Sequence, residues 1–231
     1  MPVYFASDMH LRLDRPDRGR RLAQWVKGLH PEDQLYLVGD VCDFWFGARQ
    51  RTTDPLSCEG LRALAAFRDR GGSLIVLPGN HDLWLGPFYE STLGATFVQE
   101  PLRIETHGLK IHVVHGHRAG GRQPWKAVME SQAFFQAFQK LPAPLADRLD
   151  QKLDESNTKD RARDEDRLLG HFRKYVARLT EALDLAVFGH VHGPVDDTTV
   201  HPRLVVLGGW HHGGSYLRID DEGATHVRPR F

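Results

Sequence analysis

The pattern that most constrains this chain is a short aliphatic run that stops at an acid or a histidine, repeated along the sequence. Val3–Ser7 (VYFAS) ends in Asp8 and His10, Leu35–Gly39 (LYLVG) in Asp40 and Asp43, and Leu74–Gly79 (LIVLPG) in Asn80, His81 and Asp82. Aliphatic runs this short, bounded by Gly or Pro, predict strands buried on both faces. Between them stand segments of helical period. Leu22, Trp25, Val26 and Leu29 follow Pro16, and Leu61, Leu64, Ala65 and Arg68 follow Ser57 as the candidate cap. Strand–helix alternation predicts an α/β fold of βαβ units with a largely parallel sheet. In such sheets ligands bind at the carboxyl ends of strands, which is where these acids and histidines fall.

The second half changes character. Leu102–Glu105 and Lys110–Val114, joined at His107-Gly108, predict a hairpin whose second strand runs into His115-Gly116-His117. About sixty residues, Gln123 to Asp184, then carry no strand signal. Phe134, Phe138 and Leu141, and later Leu168 to Leu183, keep helical spacing, and Pro142 and Pro144 interrupt it. Strands resume at Leu185–Gly189, Leu204–Gly209 and Ser215–Ile219. The expectation is a single domain over residues 1–231 with a helical insertion at 123–184.

Composition removes several classes. Lys+Arg and Asp+Glu number 30 each, so the formal net charge is zero and a dedicated nucleic-acid partner is not expected. Cys42 and Cys58 are too few for a disulfide framework. MPVYFASDMHLRLDR does not read as a signal peptide, and no apolar run approaches a membrane span, so a cytoplasmic location is expected.

Histidine is conspicuous, at 14 residues. Five clusters end five strands: Asp8-x-His10, Gly39-Asp40-x-x-Asp43, Gly79-Asn80-His81-Asp82, His115-Gly116-His117 and Gly189-His190-x-His192. Carboxylates, imidazoles and one amide oxygen form a mixed O/N set that suits Mn, Fe, Zn or Co better than Ca or Mg. The ligating groups are too many for one ion, so two ions roughly 3.5–4 Å apart with a shared carboxylate are expected.

This ordered set resembles the calcineurin-like metallophosphoesterase superfamily, from Ser7 to His192. The resemblance implies a β-sandwich flanked by helices in αββα layers. It implies one ion held by Asp8, His10, Asp40 and His192, and a second held by Asp40, Asn80, His115 and His190. It further implies that His81 acts at the leaving oxygen, that Asp82 orients its ring, and that Asp43 fixes a ligand histidine from behind.

Within the superfamily, SDMHL, GDVCDFWFG, GNHDLWLG, an insertion before GHVH, and LGGWHHGGSY are similar to the branch that cleaves nucleotide-activated glycolipids. That likeness implies a pyrophosphatase of lipid A biosynthesis with two divalent ions, typically Mn²⁺, and a glycolipid nucleotide substrate. It also implies peripheral attachment to the cytoplasmic face of the inner membrane, with the insertion as a lid over the acyl chains. The branch's common pattern has Arg at the place of His81 and an acid at that of His117; both positions here carry the generic superfamily residue. His117 reads either as lining the site near the phosphate or as supporting His115. Phe138, with Phe134 and Phe135, reads either as packing on the core or as an acyl pocket. Asn157, Lys159, Arg161 and Arg163 are candidates for a substrate phosphate. His211-His212 reads as structural or a lid contact, and Cys42 as no nucleophile, since a water nucleophile suffices. The alternatives are a metallophosphoesterase of other specificity, such as a soluble phosphodiesterase, dinucleotide polyphosphate hydrolase or protein phosphatase, and a non-catalytic scaffold.

Overall fold

The computed structural model describes residues 1–43, 54–120, 127–128, 130–142, 144–145, 161–210 and 213–229. Two sheets face each other. The first has the order β11-β10-β1-β2-β3-β4 and the second β5-β6-β7-β9-β8. β1 (Val3–Ala6), β2 (Gln34–Val38), β3 (Ser73–Leu77) and β4 (Thr96–Phe97) run parallel, and β10 (Tyr216–Asp220) joins β1 antiparallel and pairs with β11 (Gly223–Val227). In the second sheet β5 (Leu102–Thr106) and β6 (Leu109–Val114) form the expected hairpin. β6, β7 (Leu185–Phe188) and β9 (Arg203–Val206) run parallel, and β8 (Val195–Asp197) closes one edge antiparallel.

Strand alternation explains why the runs looked uniformly apolar. Leu35 and Leu37 of β2 point to one apolar cluster, with α1 (Pro16–Val26), α2 (Glu59–Asp69) and α3 (Gly86–Leu93), while Tyr36 and Val38 point to another between the sheets. Leu185 and Val187 of β7 likewise enter the space between the sheets, where they meet Val3 and Phe5. Ala186 and Phe188 face outward, against Phe172 and Val176 of α5 (Arg161–Val176). The layers are therefore helix, sheet, sheet, helix, the metallophosphoesterase arrangement.

Several expectations need correction. The single, largely parallel sheet is two mixed sheets. A strand buried on both faces reads the same whether a helix or a second sheet covers it. Ser57 is not the cap of α2. It closes a 3₁₀ turn at Pro55–Ser57, and Cys58 takes the cap position without a side-chain bond. Helical spacing from Leu168 to Leu183 overran, because α5 stops at Val176. α3, β4, β8 and β11 were not anticipated.

Between β6 and β7, α4 (Gln132–Gln139) starts where the Ser131 hydroxyl accepts the amide of Phe134, at 3.2 Å. Phe135 joins the large helix-side cluster, and Phe134 and Phe138 stack at 6.2 Å. No helix among the described residues is long and apolar enough to cross a membrane.

Candidate metal centre

Each sequence cluster that ends a strand arrives at one end of the two-sheet sandwich. The backbone there is strained. Among the described residues, positive φ in non-glycine residues occurs at Asp8 (56°), His10 (46°), Asp40 (53°), His190 (66°) and the hairpin residue His107 (48°). Such conformations persist where the surroundings impose them, and they gather at functional sites. The surroundings here are backbone bonds between the loops. Asp8 N donates to Gly39 O (3.2 Å), His10 N to Asp40 O (2.9 Å), and Trp210 N to Asp8 O (3.1 Å). Gly79 lies so close that a Cβ there would be 2.4 Å from Asp40 N.

Three overlapping groups of donors each lie within 4.8 Å: Asp8, His10 and His192; His10, Asp40 and His81; Asp40, His115 and His190. Asp40 Oδ2 stands between two of them, 3.7 Å from His10 Nε2 and 3.3 Å from His115 Nε2. Asn80 Oδ1 is 3.3 Å from His115 Nε2. Asp8 Oδ2 accepts from Ser7 Oγ (2.6 Å) and His190 N (2.8 Å). Its other oxygen, Oδ1, is buried without a hydrogen-bond partner and lies 3.7 Å from both His10 Nε2 and His192 Nε2. A buried carboxylate oxygen left bare is costly unless a cation meets it. Donors spaced this way fit an ion at about 2.0–2.2 Å from each, which places neighbouring donors roughly 3–3.5 Å apart. The residues therefore fit divalent metal ions.

Charge supports the same reading. Burial alone would raise Asp40, yet His115, His81 and His10 outweigh it and hold its carboxyl well below the usual range. Burial would lower His115, but Asp40 and Asp8 lift it to about 10. This many acids and imidazoles brought together at one end of the sandwich mark a functional site.

The Asp82 assignment is corrected by its bonding. Asp82 Oδ1 accepts the amides of Gly79 (2.8 Å) and Asp40 (3.2 Å), and Oδ2 accepts the amide of Val41 (2.8 Å) and the hydroxyl of Tyr89 (2.8 Å). Both oxygens are committed to bracing loops. The carboxylate on the His81 ring is Asp43, whose Oδ1 is 2.6 Å from Nδ1. The histidine that Asp43 fixes is thus His81. Burial opposes protonation of His81, but Asp40 and Asp43 raise it to about 9. Asp43 itself is driven well down: burial works against this, and His81 overcomes it.

The other candidates divide. His117 has a side chain 1% exposed, with Nδ1 3.5 Å from Glu100 Oε1, behind the rings of His115 and His190. Burial, then His115 and His190, push it down to about 2. Cys42 is buried and its thiol is raised well above its ordinary value by that burial, in keeping with an unreactive group. Asn157, Lys159, the Arg161 and Arg163 side chains and His211-His212 lie outside the described residues.

Sequence reasoning passed over Glu100, which accepts the His115 amide at 2.8 Å, and Tyr89. Neither stands in a strand-end cluster. Arg12 was also passed over; its Nη1 is 3.7 Å from Asp43 Oδ2, and its proximity to Asp8-x-His10 was the available signal.

The chain belongs to the calcineurin-like phosphoesterase family, whose sequence pattern matches residues 1–194. It is therefore a metal-dependent phosphoesterase. Among curated relatives it is similar to a protein of Hahella chejuensis named UDP-2,3-diacylglucosamine hydrolase, 27% identical over 242 residues, covering 96% of this chain and 95% of that one. A protein of Aeromonas salmonicida with the same name is 28% identical over 228 residues, covering 94% of this chain and 89% of that one. Among solved structures, an archaeal phosphodiesterase superposes with a TM-score of 0.51 at 15% identity, covering 98% of this chain and 99% of the other, a likeness of fold.

Proposed function

We propose that this phosphoesterase hydrolyses the pyrophosphate bond of UDP-2,3-diacylglucosamine, giving UMP and 2,3-diacylglucosamine 1-phosphate, a step of lipid A biosynthesis. The observation that carries the chemistry is Asp40 Oδ2, set between His10 and His115 as a carboxylate shared by two ion sites would be. The substrate rests on the relatives' printed names and on the apolar insertion beside the centre.

Asp8, His10, Asp40 and His192 would hold one ion, and Asp40, Asn80, His115 and His190 the other. Two divalent cations, Mn²⁺ by preference, supply charge neutralisation at the phosphoryl oxygens and a water acidic enough to attack at neutral pH. The chain's own groups do the rest. Asp43 occupies Nδ1 of His81, so Nε2 is the atom that faces the leaving oxygen. With its ring fixed by Asp43, Nε2 would donate a proton or stabilise the charge that develops on that oxygen. Asp82 and the strained Asp8 and Asp40 turns keep the donors in place.

The insertion forms the lid. Trp84 follows His81-Asp82 closely in the chain, and its Nε1 donates to Glu130 O (2.9 Å) just before α4, tying the lid to the site. Trp84, Val128 and Leu145 are exposed large apolar side chains on these segments, while Phe138 is buried and stacks against the half-buried Phe134. Burying each acyl methylene is worth about 0.8 kcal/mol, enough for the acyl chains to dominate selection. The same surface favours peripheral contact with the cytoplasmic face of the inner membrane.

The test is product analysis. Metal-stripped protein given Mn²⁺ should convert UDP-2,3-diacylglucosamine to UMP and the sugar 1-phosphate, and with EDTA it should not. Turnover of simple phosphodiesters without turnover of this substrate would move the assignment to a phosphodiesterase of other specificity.

A further inference from the structure

Three consecutive amides of the loop after β2 are tied to one small device on the neighbouring loop and helix. Asp40 N and Val41 N donate to Asp82, at 3.2 and 2.8 Å. Cys42 N donates to the Tyr89 hydroxyl at 3.2 Å, and that hydroxyl donates to Asp82 Oδ2 at 2.8 Å. Tyr89 sits on α3 with its side chain fully buried in the helix-side apolar cluster. Its one polar atom thus joins the Asp40 loop, the Asn80–Asp82 loop and α3. A lone buried Asp82 would leave the Cys42 amide without an acceptor, and an apolar residue at 89 would leave one lone pair of Asp82 unmet. Both are costly in a dry interior.

We propose that Tyr89 is a positioning residue for the metal centre, a hydroxyl brace that sets the turn presenting Asp40 to the ions. It touches no reacting atom. The proposal rests on Asp40 being a metal ligand. Asp40 keeps φ at +53° because its amide and the next two are held from outside the turn. Loss of the hydroxyl frees the third of these amides and one side of Asp82, so the Asp40 carboxylate is no longer preset and ion binding must bear the ordering. Groups bonded directly to a ligand typically govern metal affinity by 10–100-fold, and Tyr89, one bond further out, acts at the lower end of that range.

The experiment is calorimetric titration of metal-stripped protein with Mn²⁺. Tyr89→Phe keeps the ring and its packing; Leu93→Ala, on the same helix and 2% exposed, is the control for lost stability alone. Tyr89→Phe should weaken Mn²⁺ binding at least about ten-fold, while kcat at saturating Mn²⁺ returns to near the wild-type value. Leu93→Ala should lower the melting temperature and leave Mn²⁺ affinity unchanged. The double variant Tyr89→Phe/Asp82→Asn should lose little more affinity than Asp82→Asn alone, because the two groups form one brace. Wild-type Mn²⁺ affinity in Tyr89→Phe, or fully additive losses in the double variant, would overturn the proposal. Failure of Asp40→Ala to alter Mn²⁺ binding would overturn the ligand assignment beneath it, a result distinguishable from either.

Discussion

Gly79→Ala adds one methyl group at the tightest point between the two metal-bearing loops. The new Cβ would lie 2.1 Å from Asp40 Oδ1, 2.4 Å from Asp40 N and 2.8 Å from Asp40 Cγ. None of these is the loose end of a flexible chain: Asp40 Oδ1 accepts the His81 amide at 2.8 Å, and Asp40 N donates to Asp82. Relief requires the loops to part by about 1 Å, yet β2 and β3 remain paired up to Val38 and Leu77. Overpacking of this kind costs roughly 1–3 kcal/mol, and losing two bonds to carboxylates roughly 1.5–3 kcal/mol each, so about 4–9 kcal/mol is at stake. That is a large share of the roughly 5–15 kcal/mol that holds such a domain, and the melting temperature should fall by more than about 10 °C. Metal binding should suffer with it, because Asp40 is the residue displaced. Gly108→Ala provides the contrast. It carries φ of +74° with nothing near the added Cβ, so it costs about 1–2 kcal/mol of left-handed strain and leaves metal binding intact. Thermal melts with and without Mn²⁺, with elemental analysis, report both effects. Gly79→Ala protein that melts within about 2 °C of wild type and holds the same metal would refute the close-packed loop geometry.

Asp40→Ala should reduce bound metal and abolish turnover, since both ion sites lose a donor; elemental analysis showing undiminished tight binding would count against sharing. His81→Ala should keep its metal while kcat falls about 10²–10⁴-fold, and Asp43→Asn should fall in the same direction by a smaller factor, measured at saturating Mn²⁺. Recovery of full rate in excess Mn²⁺ would instead make His81 a ligand. Phe138→Asp should damage cleavage of the acylated substrate and spare bis-p-nitrophenyl phosphate; equal losses on both would make α4 a structural support and not a lid.

The candidate metal donors were legible because ligand chemistry needs particular side chains, and strand ends are where a short apolar run leaves them. Asp8, His10, Asp40, His115, His190 and His192 could be read this way, and the structure brings them together. The bracing groups were not legible. Asp82 and Asp43 are both carboxylates near His81 in the reading, and only their geometry separates the loop clamp from the partner of the ring. Tyr89 meets Cys42 across 47 positions of sequence, and a tyrosine in an amphipathic helix carries no mark of its partner. The two-sheet core was hidden for a similar reason: Tyr36 and Leu37 look alike in sequence yet serve opposite faces. Cys58 opens α2 without a capping side chain, so that start slipped to Ser57, and α3, which starts after Leu85 with no capping bond, was passed over altogether.

We propose that the metal centre selects its pyrophosphate substrate through acyl chains held beside it. That selection is tested most directly by kcat/KM of the Mn²⁺-loaded protein for UDP-2,3-diacylglucosamine and for its deacylated analogue. At about 0.8 kcal/mol per buried methylene, even four methylenes seated in the lid correspond to a preference of more than about 100-fold for the acylated compound. A ratio near one, with both compounds cleaved, would contradict the account.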